Sequence, residues 1–151
     1  MSTAAAIAPS HRSVESLLGG RGILHVKPRT VLDWVSVIRH GISSAAVDSL
    51  AKTIRVTQSE LAMALGIPER TLARRKKEGT LNSEESAKLV RLARIVERAE
   101  EIFQDLDASL DWLKSPNAAL SGATPLSLLD TDIGAESVMD TLGRIEHGVF
   151  A

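Results

Sequence analysis

The segment from Thr57 to Gly79 constrains this chain more tightly than any other, because its residue types and spacings suit one kind of corner. Ala62 is small where two steeply crossing helices must touch, and Gly66, four residues on, suits a tight turn that needs positive φ. Leu61 and Leu72 fall where wedge residues would fill the angle between the helices. Thr57 and Glu60 form the signature of a capping box that opens the first helix. Pro68 suits the first residue of a second helix, which runs to about Glu78 before Gly79 closes it. The spacing predicts a helix-turn-helix.

The second helix carries the chemistry. Arg70, Arg74, Arg75, Lys76 and Lys77 bring five cations between residues 70 and 77 with no acid among them. In a helix-turn-helix this is the helix that enters the major groove, where an Arg fork takes guanine O6 and N7 together. Arg70 and Arg74, one turn apart, are the candidate base readers, with Thr71 beside them. Arg75, Lys76 and Lys77 lie nearer the helix end, where phosphate contacts are expected. Arg75 also departs from the motif, since that position commonly holds a third apolar wedge; its methylenes would have to cover the core instead. The alternative is an ordinary helical hairpin whose cations complement the dipole at a helix C-terminus.

The remainder predicts an all-α fold. Aromatics make up 3% of the 151 residues and Tyr is absent, which argues against a β-sandwich. A tail over residues 1–10, a short helix over 13–18 and a turn through Gly19-Gly20-Arg21-Gly22 come first. Helices over 30–39 and 44–55 follow, with Leu32, Val35 and Ile38 on one stripe and Val47, Leu50, Ala51 and Ile54 on another. Asn82 with Glu85 opens a long helix to about Asp107, striped by Leu89, Leu92, Val96, Ala99, Phe103 and Leu106. Trp112, Leu113, Leu126, Leu128 and Leu129 are expected in a C-terminal core or dimer contact, Pro116-Asn117 in a turn, and Asp130 or Asp132 as cap of a last helix over 134–147. Three parts result: a flexible segment over 1–24, a helix-turn-helix domain over 25–81 and a small helical domain over 82–151.

Charge separates these parts. Residues 1–54 hold six basic and three acidic side chains, residues 55–98 ten and six, and residues 99–151 only Lys114 and Arg144 against ten acids. A basic middle can face nucleic acid, whereas the acidic last third would be repelled by phosphate. With no cysteine there is no disulfide, thiolate nucleophile or cysteine-ligated metal, and the four histidines lack metal-ligand spacing. No Walker lysine or nucleophile elbow appears, and the adjacent carboxylates Glu84-Glu85 and Glu100-Glu101 diverge on a helix, so neither a catalytic residue nor a metal or cofactor is expected. No apolar run is long enough for a membrane span and no secretory leader is evident, so a soluble, cytoplasmic protein is expected.

The stretch Arg70-Thr71-Leu72-Ala73-Arg74-Arg75, with Glu78-Gly79-Thr80-Leu81, Glu85-Ser86 and Arg91-Leu92-Ala93-Arg94, resembles the Xre/MbcA/ParS antitoxins. So do Trp112 to Leu120, Gly122, Pro125 to Thr131, Gly134, Val138, Leu142, Arg144-Ile145 and Gly148-Val149, and the resemblance extends over roughly Val26 to Ala151. It implies the antitoxin of a type II toxin-antitoxin system: an Xre-like helix-turn-helix half, joined through a long helix to a small helical toxin-binding domain. The implied partners are a RES-domain toxin acting on NAD, operator DNA and a second copy in a homodimer. It further implies occlusion of the toxin's active site and repression of the shared operon.

The terminal motif makes Arg144, Ile145, Gly148, Val149 and Phe150 the candidate toxin contacts, although Phe150 folding back on its own domain is an equal alternative. Two rivals stand beside this reading: a stand-alone regulator whose C-terminal half only dimerises, and a helical adaptor that binds neither DNA nor toxin.

Overall fold

The computed structural model describes residues 11–148. Among them nine α-helices follow one another: α1 (Val14–Leu17), α2 (Arg21–Leu24), α3 (Val31–His40), α4 (Ala45–Ile54), α5 (Gln58–Leu65), α6 (Glu69–Glu78), α7 (Ser83–Phe103), α8 (Leu106–Lys114) and α9 (Asp132–Glu146). Two 3-10 turns, Ala118–Leu120 and Pro125–Leu128, fill the connection from α8 to α9. Extended pairing among the described residues is limited to one antiparallel bridge, Ser43 with Thr80. The fold is all-α, as expected.

The long helix α7 organises the rest. Its 21 residues span about 30 Å at the usual rise. Asn82 Oδ1 accepts from the Glu85 N–H at 2.8 Å and Glu85 Oε1 accepts from the Asn82 N–H at 2.9 Å, a complete capping box. Leu89, Val90, Leu92, Ala93, Ile95, Val96 and Ala99 are buried on more than one side of the helix, so α7 can take α1, α3, α5, α8 and α9 around it. Leu61 and Leu65 of α5, Leu72 of α6 and Val138 and Leu142 of α9 join it in one continuous core.

Val14, Leu17 and Leu18 lie in the core, and the α1 entry is tied to α7 by Glu97, which accepts from the Val14 N–H at 2.9 Å, and by buried Glu100, which accepts from the Arg12 guanidinium at 2.7 Å. Three expectations change. The inner face of α3 is Trp34, Val37 and Ile38, while Leu32 is 76% exposed. The long helix ends at Phe103, not near Asp107: Gln104 takes φ +53°, and Asp105 caps α8 by accepting from the Ala108 N–H at 2.8 Å. Finally, Thr131 rather than Asp130 or Asp132 caps α9, accepting from the Gly134 N–H at 3.0 Å.

Candidate functional site

The corner between α5 and α6 forms as its spacing requires. Thr57 Oγ1 accepts from the Glu60 N–H at 3.1 Å and Glu60 returns the bond to the Thr57 N–H at 2.8 Å. Gly66 takes φ +67°, and the Ile67 N–H donates to the Ala62 carbonyl at 3.0 Å, so the end of α5 closes through a left-handed residue. A Cβ on Gly66 would also lie 3.1 Å from the Asp130 carbonyl oxygen, because the loop before α9 packs onto this turn. Pro68 is the cap residue of α6, one position before the expected one.

The six cation-rich candidates of α6 divide by direction. At about 100° per residue, Arg70, Arg74 and Lys77 fall within about 60° of one another, opposite buried Leu72. All three are exposed and make no ion pair among the described residues. Thr71 is half-buried on the flank. Arg75 turns toward α7: its Nε donates to Glu85 at 2.7 Å and its guanidinium reaches Glu78 at 2.9 Å. Lys76 pairs with Asp48 of α4 at 2.9 Å. Arg70, Arg74 and Lys77 therefore form an exposed row without an ion-pair partner among the described residues, while Arg75 and Lys76 are held by acids of the same chain.

Glu85 serves two masters. Burial pushes its carboxyl up, but the Arg75 hydrogen bond and the Asn82 N–H outweigh that and hold it below the ordinary carboxylate range. The same contact, with help from Glu78, holds Arg75 above its usual value. The sequence marked Glu85 as a cap and Arg75 as a departure from the motif; what it did not reveal is that the two explain each other.

At the other end, α9 is fastened to α7 at both termini. Arg91 pairs with Asp132 and donates to the Leu129 carbonyl at 2.8 Å. Arg98 grips Glu146 with both guanidinium nitrogens and also reaches Glu101 at 2.6 Å. These contacts hold Arg98 above and Glu146 below their ordinary values, with each other as the leading cause. Of the candidate toxin contacts, Arg144 is exposed, Ile145 half-buried, and Gly148 exposed at φ +73°; Val149 and Phe150 lie outside the described residues. Trp112 sits half-buried with its ring centroid 6.0 Å from that of Phe103, and Leu113 and Leu129 are buried, as core positions should be. Among the described residues there is no group of three or more metal-ligating side chains, and no helix long and apolar enough to cross a membrane.

Residues 33–94 match the antitoxin Xre-like helix-turn-helix domain, and residues 98–148 match the antitoxin Xre/MbcA/ParS C-terminal toxin-binding domain. An antitoxin Xre of Yersinia enterocolitica is 36% identical over 119 residues, 78% of this chain and 80% of that protein. The chain belongs to the Xre/MbcA/ParS antitoxin family. A second antitoxin Xre, from Photorhabdus laumondii, is 32% identical over 118 residues, 77% of this chain and 80% of its own. A Sphingobium protein named Prs ADP-ribosylating antitoxin is 28% identical over 130 residues, 80% of this chain and 82% of its own. The antitoxin thus combines a helix-turn-helix with a toxin-binding unit, and the two matched stretches meet inside α7, between residues 94 and 98.

Proposed function

We propose that this antitoxin neutralises a RES-domain toxin that consumes NAD, and that it represses the operon encoding the pair. Neutralisation is by occlusion: Arg144, Ile145, Gly148, Val149 and Phe150 enter the toxin's nucleotide pocket and exclude NAD, with no chemistry performed by the antitoxin. Repression rests on α6, where Arg70 and Arg74 read bases from the major groove, Thr71 supports them, and Lys77 takes a phosphate. Arg75 and Lys76 contribute from the flanks, adding their charge to the basic face while Glu78, Glu85 and Asp48 stay engaged. A homodimer would present two such helices to successive half-sites. The work is done in the cytoplasm, where operator and NAD are both found.

The observation that carries this reading is the segregation of uncompensated charge. The free cations of α6 point away from the core, whereas Asp111, Asp130, Glu136 and Asp140 of the C-terminal unit are exposed and make no ion pair among the described residues. Duplex DNA favours the basic row, while the free acids of the C-terminal unit suit the basic surroundings of a pocket that takes the pyrophosphate of NAD. The name of the Sphingobium relative joins an antitoxin to ADP-ribosylation, a chemistry that consumes NAD.

The test is growth of cells co-expressing the RES toxin with the antitoxin lacking residues 149–151. Protection should be lost and cellular NAD should fall, while the purified variant keeps the parent's thermal midpoint. Undiminished protection would remove the tail from the mechanism.

A further inference from the structure

Helix α3 is packed on one side and bare on the next. Trp34, Val37 and Ile38 turn to the core, yet none of its ten residues is buried, and Val31 and Leu32 are 80% and 76% exposed. At about 100° per residue, Val31, Val35, Arg39 and Leu32 fall within about 100° of one another, a stripe beside the packed side rather than on it. Next to the stripe runs a groove of about 400 Å³ between α1, α3 and α7. Val31, Trp34, Val35 and Val90 give it apolar walls, and Glu15 and Arg94 line it as well. Leu32 stands outside the groove, a knob beside a hole.

What this surface offers, it also accepts. A two-fold axis brings the same patch of two copies together, so the patch must carry both the projecting residue and its recess. Charge repeats the pattern. Arg39 on the stripe and Glu15 in the groove are of opposite sign, and neither makes an ion pair among the described residues. An unrelated protein would need only one half of each pair. Duplex DNA is a poor occupant, because an apolar ridge gives nothing to phosphate. The patch also lies outside residues 98–148, which match the toxin-binding domain. Alone, α3 is about 15 Å long. The groove carries the surface across to α1 and α7, toward the roughly 800 Å² per partner that a standard interface buries.

We propose that α3 and its groove are the contact through which two copies of this chain pair, Leu32 of each seated in the groove of the other and Arg39 of each facing the other's Glu15. The inference rests on the homodimer reading above and supplies the surface which that reading lacks. Pairing removes from water an apolar stripe that the single chain leaves there. Arg70, Arg74 and Lys77 are not part of the patch, so both copies keep them for DNA.

Sedimentation of the full chain across a concentration series tests this, with Leu32→Glu and Met63→Glu run beside the parent. Met63 is as exposed as Leu32, at 76%, but lies on α5, so it controls for the added charge. The parent and Met63→Glu should sediment at twice the 16.2 kDa chain mass. Leu32→Glu should raise the dimer dissociation constant about thirtyfold or more, the scale of an interface hot spot. Its far-UV helix signal should match the parent's, since the replaced side chain is exposed. A dimeric parent whose Leu32→Glu variant pairs just as tightly refutes the α3 contact and leaves the homodimer reading standing. Equal weakening by Met63→Glu also refutes it, because charge alone then suffices. A parent that stays monomeric throughout overturns the homodimer reading, and this surface with it.

Discussion

At the position where a helix-turn-helix commonly carries its third apolar wedge, Arg75 keeps 21% of its side chain exposed and gives its guanidinium to Glu78 and Glu85. Glu85 completes the cap of α7 by accepting from the Asn82 N–H, and it does so as a buried residue. An apolar wedge would leave that carboxylate unpaired. Arg75→Met should therefore lower stability, though by less than the loss of a fully buried partner because water reaches part of the pair. Since Glu85 is held below its ordinary value of 4.5, its ionised form favours the fold. That contribution is complete above the unfolded value and is lost as pH falls through the folded one. Urea midpoints of parent and variant should consequently converge on acidification; a constant gap across pH would rule out Glu85 as the source. The pairing could not be foreseen from sequence, because no spacing rule relates a residue near the end of one helix to the third residue of the next.

Among the elements, those with chemical punctuation were legible and those ended by geometry alone were not. The boxes at Thr57/Glu60 and Asn82/Glu85 announced α5 and α7, and Gly66 and Gly79 closed α5 and α6. By contrast, α7 stops at Gln104, a left-handed residue with neither glycine nor proline to signal it. Periodicity found α3 but misjudged which side faces inward, since Leu32/Val35/Ile38 step by three, and Trp34 lies three residues from Val37 and four from Ile38; the packing of Trp34 on the core decided between them. The Arg98 grip on Glu146 was equally invisible, lying across 48 residues of chain. It has a consequence for α9: Arg98→Ala should loosen the last turn, read as faster amide exchange over residues 143–148 with the rest of α7 unchanged. Unaltered exchange there would mean that Val138 and Leu142 hold the helix end without it.

Across the whole molecule, a single core built on α7 carries two surfaces of opposite character. The charge division was plain in the sequence, with Lys114 and Arg144 facing ten acids after residue 98. What the fold adds is which charges are free: α6 keeps Arg70, Arg74 and Lys77 uncommitted, whereas Arg91 and Arg98 are consumed in fastening the acidic unit. The two surfaces also sit on neighbouring structure, since the loop before α9 packs on the Gly66 turn. The central claim is that separate faces of one rigid chain meet DNA and toxin. Amide-exchange footprints of the antitoxin, taken with operator duplex and then with RES toxin, test it most directly. Duplex should protect α6 and the residues just beyond it, toxin should protect the end of α9 from Arg144 through the terminal residues, and neither footprint should spread into the other. Protection of the same residues by both ligands, or toxin protection that avoids α9 and the tail, would contradict the account.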